Sequence, residues 1–304
     1  MSKKNLILGG ILIVLIIFAY IQQGPLQRWK ENSRKPDNFM AVLDPDMIDK
    51  IEIEQNDKET VVIEKEDKGW KVVGTKDFYV NNSVINEVKQ TIKKMSEAEL
   101  EVVSKNENKK KEFETDDSGI KLKISQSGSD HRLMIGKTTP DLSSSYISRP
   151  EDEKTYYLDV NARSVFSRDD WRDDQLFSFM PERIKSIRFQ YPDREFMAEK
   201  IDNQWQGTKP EDFEVDIEKL DEILKTMGSL KAVEIPEQTF EGTSLEKHNI
   251  IIEAKDTLTN YIIMVGDANE DGQYYAKRGS SDNIYLITEK DHDMLDKNLE
   301  DIEK

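Results

Sequence analysis

Two stretches of this chain carry the same residue types in the same order, and that duplication limits the architectures open to it. Trp70 returns as Trp205 at an offset of 135 residues, and Phe78-Tyr79-Val80 returns at that offset as Phe213-Glu214-Val215. Gly136 matches Gly266, Tyr146 matches Tyr275, Arg149 matches Arg278, and Tyr157-Leu158 matches Tyr285-Leu286, with the offset falling to 130, 129 and 128. Loss of a few loop residues from the second copy accounts for the drift. The 304 residues also suit two domains of roughly 100–200 residues each, each large enough to bury a core.

Within each copy the hydrophobic period changes in a fixed order. Ile51-Glu52-Ile53-Glu54 alternates, Val61-Val62-Ile63 follows a polar turn, and Trp70-Lys71-Val72 follows Asp67-Lys68-Gly69. This predicts three short strands. The second copy repeats the design with Ile187 and Phe189, Phe196 and Ala198, then Trp205. Each indole is expected to be a large buried ring that pins its strands to whatever covers them. Val84, Ile85, Val88, Ile92 and Met95 then share one helical face, as do Ile217, Leu220, Ile223, Leu224 and Met227. Asp216 suits an N-cap, and Gly228 suits a left-handed exit.

Four more strands are predicted after each helix. They are Leu122–Ile124, Arg132–Ile135, Tyr146–Ser148 and Tyr156–Leu158, then Ile250–Glu253, Tyr261–Val265, Tyr274–Lys277 and Ile284–Ile287. Short closing helices are expected at Asn161–Phe166 and Glu289–Leu295, the latter capped by Thr288 with Asp291. The expected fold class is α+β: an amino-terminal transmembrane helix, then two tandem repeats, each an antiparallel β-meander sheet packed by one main helix. The expected boundaries are an anchor at 1–24, a stalk at 25–47, a first repeat at 48–167, a linker at 168–182 and a second repeat at 183–304.

The anchor expectation rests on Leu6 to Ile21, apolar throughout apart from Gly9 and Gly10. Sixteen helical residues span about 24 Å, slightly short of a bilayer core near 30 Å. Tyr20 and Ile21 stand where a signal peptidase needs small side chains, so an uncleaved anchor is expected over a signal peptide. Lys3 and Lys4 favour the amino end inside, while Arg28, Lys30, Arg34 and Lys35 oppose it. A short tail before a long hydrophilic chain favours domains facing outward from a single-pass inner membrane.

Chemistry is harder to find. The net charge of −17 repels phosphate backbones, which argues against a nucleic-acid partner and against broad docking on anionic lipid. The chain has no cysteine, which excludes thiolate metal sites and cysteine nucleophiles. His131, His248 and His292 lack metal-ligand spacing, and His292 reads as a solvated helix-end residue. Asp267-Ala268-Asn269-Glu270-Asp271-Gly272 mimics the start of a calcium loop, with Asp267, Asn269 and Asp271 as the candidate ligands. Arg278 occupies the twelfth position, where a bidentate glutamate belongs, so a polar hairpin turn is the plainer reading. No residue is assigned a catalytic or cofactor-binding role.

The Gly69-Trp70 strand end, the phenylalanine-valine entry to a helix and the Ile135-Gly136 and Tyr146 strands resemble a bacterial family of membrane-anchored proteins, the DUF4340 domain of unknown function. Trp205, Phe213-Val215, Val265-Gly266, Tyr275 and the Arg172–Phe179 stretch extend the resemblance. It departs at Asp117-Ser118-Gly119-Ile120 and Gly242-Thr243-Ser244-Leu245, where members often carry Gly-Leu. The resemblance implies frequent association with ABC-type transporters of the gliding-motility kind, and no catalytic residues. The leading expectation is a non-enzymatic, membrane-anchored interaction module that contacts an envelope or transporter protein. The alternatives are a small-molecule or glycan binder, with a pocket of Tyr, Trp and Arg between the repeats, and a carboxylate hydrolase.

Overall fold

The computed structural model describes residues 37–247 and 250–304. The described chain forms two compact units. One takes the described residues up to Val73 together with Asn82–Trp171, and the other takes Gly74–Asn81 with Arg172–Lys304. Each is built on one antiparallel sheet.

In the first unit, β1 (Ile48–Glu54), β2 (Val61–Glu66) and β3 (Gly69–Val72) form a meander. Helix α1 (Asn82–Glu97) follows, then β4 (Leu100–Ser104). β5 (Ile120–Gln126), β6 (Ser129–Thr138), β7 (Ser145–Ser148) and β8 (Thr155–Leu158) form a second meander. The sheet order is β3-β2-β1-β5-β6-β7-β8-β4. Ile51, Ile53, Ile63, Leu122, Ile124, Leu133, Ile135 and Ile147 are buried, as are Ile85, Val88, Ile92 and Met95 of α1. Trp70 lies with Ile48 and Ile51 against Ile85, Val88 and Ile92, so this indole does join strands to helix. Helix α2 (Ala162–Phe166) closes the unit, capped by the Asn161 side chain.

The second unit repeats the plan with β9 (Ser186–Gln190), β10 (Glu195–Ile201), β11 (Gln204–Lys209), α3 (Ile217–Gly228), β12 (Ile250–Lys255), β13 (Asn260–Ala268), β14 (Tyr274–Arg278), β15 (Ile284–Ile287) and α4 (Glu289–Leu295). Its seven strands run β11-β10-β9-β12-β13-β14-β15. Register confirms the duplication. Trp70 faces Lys65 and Trp205 faces Lys200, Leu122 faces Leu133 and Ile252 faces Ile263, and Ile147 faces Tyr156 as Ala276 faces Tyr285.

Several expectations need correction. The fold is mostly β, two antiparallel sheets with few helices. The expected anchor at Leu6–Ile21 lies outside the described residues, and among those described no helix is long and apolar enough to cross a membrane. Neither sheet is a single meander, because β1 pairs with β5 and β9 with β12 across the helical crossover. β4 was absent from the expectation; it pairs with β8 at the sheet edge. In the second unit its place is taken by an isolated bridge between Glu234 and Leu286. Pro236, lacking an N–H, stands two residues further on. The last matched pair slips by one residue: Tyr146 faces Tyr157 and Tyr275 faces Leu286, so Tyr156-Tyr157 is the counterpart of Tyr285-Leu286.

Gly228 is the last residue of α3, with Ser229 as C-cap at φ −120°. It is glycine for room, since a Cβ there would meet the Phe179 carbonyl oxygen at 2.7 Å. Asp216 and Thr288 cap α3 and α4 as expected.

The segment Gly74–Asn81 packs with the second unit. Phe78 is in one buried cluster with Phe177, Phe189 and Tyr285, and its ring centroid is 5.7 Å from that of Tyr285. Asp173 N–H donates to the Tyr79 carbonyl at 2.8 Å, just as Lys304 N–H donates to Glu214 at 3.0 Å. In both copies, therefore, the chain after the closing helix bonds the Phe-x-Val segment.

Candidate functional site

A β-sheet sends alternate side chains to opposite faces. In the first unit the inward set is aliphatic. The outward set from β1, β5 and β6 is Glu52, Glu54, Lys121, Lys123, Arg132 and Met134, since Glu52 faces Lys123, Glu54 faces Lys121, Lys123 faces Arg132 and Lys121 faces Met134. These side chains floor an open cleft of about 530 Å³, walled by Thr60, Lys110, Asp117 and Pro150.

The floor is a cross-strand ladder of charges. Lys123 Nζ lies 3.1 Å from Glu52 and 3.3 Å from Asp130, and Lys121 Nζ lies 2.8 Å from Glu54 and 3.2 Å from Asp117. Lys50 reaches Glu52 at 2.9 Å. Hydrogen bonding from Lys50 foremost, then from Lys123, holds the Glu52 carboxyl below its ordinary range. Bonds to Ser125 first and Lys123 second lower Asp130, while Glu54 and Glu52 respectively raise Lys121 and Lys123. The ladder thus keeps its charges fixed around neutrality. It offers oriented ion-pairing and hydrogen-bonding groups to a polar ligand.

The corresponding face of the second sheet differs. Register places Arg188 at the Glu52 position, Gln190 at Glu54, Ile251 at Lys121, Glu253 at Lys123 and Ile262 at Arg132. Arg188–Glu195 and Lys209–Glu195, each at 3.0 Å, form a smaller ion-pair group there. The buried face is thus duplicated, whereas the outer face differs, with isoleucines in the second unit where the first has Lys121 and Arg132 and with the signs reversed at the Glu52 and Lys123 positions.

What is duplicated includes a backbone device beside the cleft. The β6 ladder slips between Ile135 and Thr138, and the β13 ladder between Val265 and Ala268. At each slip a loop carbonyl approaches a glycine: a Cβ on Gly136 would meet the Phe113 oxygen at 2.2 Å, and one on Gly266 the Thr243 oxygen at 2.0 Å. Lys137 N–H bonds that Phe113 carbonyl at 2.9 Å, and Asp267 N–H bonds Thr243 at 3.0 Å.

These glycines also belong to the matched region of a known family. The family described as "Domain of unknown function (DUF4340)" matches residues 70–250 and again 205–304. The chain belongs to this family. The two matches to DUF4340 begin at Trp70 and Trp205, the indoles that mark the repeat. No curated protein and no solved structure matches the chain.

The residues singled out by sequence fall elsewhere. Asp267, Asn269 and Asp271 lie at the β13–β14 hairpin. Asn269 Oδ1 accepts from the N–H groups of Asp271 at 3.0 Å and Gln273 at 2.8 Å, while the Asp267 carboxylate accepts from the Ser244 hydroxyl. Gly272 supplies the positive φ of 77° that the turn needs. Among the described residues, no group of three or more His, Cys, Asp or Glu side chains is placed to hold a metal. His292 is not a solvated end residue: its side chain is 14% exposed, and its ring stacks on Tyr274 with centroids 3.6 Å apart. His131 lies beside Asp130 and Arg132 in a shallow polar hollow, and His248 lies outside the described residues.

Proposed function

We propose that the chain is a non-enzymatic interaction module that recognises a polar, charged segment of a partner protein through the outer face of its first sheet. The observation that carries this reading is the asymmetry between the faces of the repeat. Residues that pack were kept in both copies, and residues that face solvent diverged into a charged cleft in one copy. A surface freed from the packing constraint is where recognition can be specified.

The carboxyl groups add support. In the cleft lining and its ladder, Glu52, Asp116 and Asp130 all have their pKa displaced downward. A carboxylic general acid needs the opposite shift to hold its proton near neutrality. The lining also has no Tyr or Trp on which a sugar ring could stack, which disfavours the glycan reading for this cleft.

The partner in this reading is another envelope protein, and a transporter subunit fits the family resemblance. An outward-facing position at the cell envelope belongs to the same proposal. Gentle cross-linking of membranes, followed by recovery of companions, tests it. One specific companion is expected with the unaltered chain, and its loss with Lys121→Glu combined with Lys123→Glu. Equal recovery by both chains would overturn the role of the cleft. A reporter fused to the carboxyl end, active only when cytoplasmic, would overturn the outward placement.

A further inference from the structure

The segment Gly74–Asn81 belongs to the second unit, although β3 before it and α1 after it belong to the first. It is held there residue by residue. Lys76 Nζ lies 5.5 Å from the centroid of the Phe240 ring. The Asp77 carbonyl accepts from Asn283 Nδ2 at 2.9 Å, and Asn283 is buried. Phe78 is 1% exposed, with its ring edge-on to Tyr285 and the Arg172 guanidinium 5.4 Å from its centroid. The Tyr79 carbonyl accepts from Asp173 N–H at 2.8 Å, and Asn81 Nδ2 donates to Asp173 Oδ1 at 2.9 Å.

The copies differ in where this phenylalanine is seated, and the reason lies one strand away. Phe213, the sequence counterpart of Phe78, closes on its own sheet. It exchanges N–H···O bonds with Gly207 at 3.0 and 3.3 Å, and a Cβ on Gly207 would lie 2.0 Å from the Phe213 ring. Gly207 faces Ala198, and the residue at that register position in the first copy is Val72, which faces Ile63. Val72 is buried, so a side chain already fills the space that glycine leaves for the ring. A close-packed sheet cannot hold both. Phe78 packs instead on Tyr285.

The first unit has the same arrangement from another source. Tyr156 on β8 is the counterpart of Tyr285 on β15, and Phe39 lies against it with ring centroids 5.7 Å apart and the Arg149 guanidinium 4.5 Å from its own. Phe39 precedes β1. In each unit, therefore, the tyrosine of the last meander strand is covered by a phenylalanine from chain upstream of that unit's first strand.

We infer that Gly74–Asn81 is a strap that makes folding of the second unit conditional on the chain of the first repeat. Without it the second core loses Phe78, and the buried Asn283 amide loses its acceptor, which is costly in an interior. The linker at 168–182 is then not a boundary between independently folding halves. A displacement of β3 or α1 that draws on the strap reaches the second core through the chain itself.

Hydrogen exchange read by mass spectrometry on the full chain tests this. Phe78→Ala should lower protection in β14 and β15 by about a hundredfold or more, while β1 and β5 keep theirs. Phe39→Ala should do the reverse, exposing β7 and β8 and sparing β14 and β15. Phe78→Leu should give the Phe78→Ala pattern with a smaller drop, so the result does not depend on how well the alanine variant folds. Loss confined to β2, β3 and α1, the sequence neighbours of Phe78, would overturn the inference. So would a uniform loss across both sheets, or unchanged protection in β14 and β15.

Discussion

At the residue scale, the glycines at the two ladder slips separate a steric requirement from a conformational one. Gly136→Ala would place a Cβ 2.2 Å from the Phe113 oxygen, backbone against backbone. Gly128 sits in an open turn at φ 82° with nothing within 4 Å. Denaturant unfolding should therefore show Gly136→Ala losing about 2 kcal/mol or more, and Gly128→Ala only the smaller cost of a left-handed backbone, about 1 kcal/mol. Both glycines are plain in the sequence, but only Gly136 recurs, and recurrence was the signal that it serves the fold. The one-residue slip at Tyr156-Tyr157 shows the limit of such matching. Two adjacent tyrosines fit either alignment, and only hydrogen-bond register separates them.

Glu52 gives a pH test at the same scale. Its folded pKa lies below the ordinary 4.5 because Lys50 and Lys123 favour the carboxylate. Stability from this group is therefore present above about pH 4.5 and is lost as pH falls through the depressed folded value. Partly exposed pairs of this kind contribute on the order of 0.2–1 kcal/mol. Glu52→Gln should flatten the acid limb of the stability curve by that amount and leave stability near pH 7 lower. A steeper acid limb in the variant would contradict the ladder.

At the element scale, the two helices follow from their sequence stripes. Ile92 and Met227 occupy matching positions in α1 and α3, and both are fully buried. Truncation of either to Ala should cost about 2–5 kcal/mol. Asp216→Ala, which removes bonds to the N–H groups of Glu218 and Lys219, should cost about 1 kcal/mol by thermal or denaturant unfolding. The strands were legible because their inward positions alternate. β4 was not, because Leu100-Glu101-Val102-Val103 is short and its partner β8 is distant in sequence. The cleft was illegible for a different reason. In a chain that is 35% charged, nothing distinguishes Glu52 and Lys123 until the β1–β5 register sets them opposite each other.

At the scale of the whole molecule, duplication supplied two similar buried frameworks and left their outer faces to diverge. The first presents an ion-pair ladder in an open cleft, and the second has Ile251 and Ile262 where the first has Lys121 and Arg132, beside a smaller ion-pair group of Arg188, Glu195 and Lys209. Recognition through the first face is the central claim. Photo-cross-linking side chains installed singly in the full chain test it most directly, at Thr60 and Lys110 on the cleft wall and at Lys209 on the second sheet. The account predicts one discrete adduct from Thr60 and Lys110, absent from Lys209 and abolished by charge reversal at Lys121 and Lys123. Adducts of the same identity from all three positions, or adducts indifferent to that reversal, would contradict it.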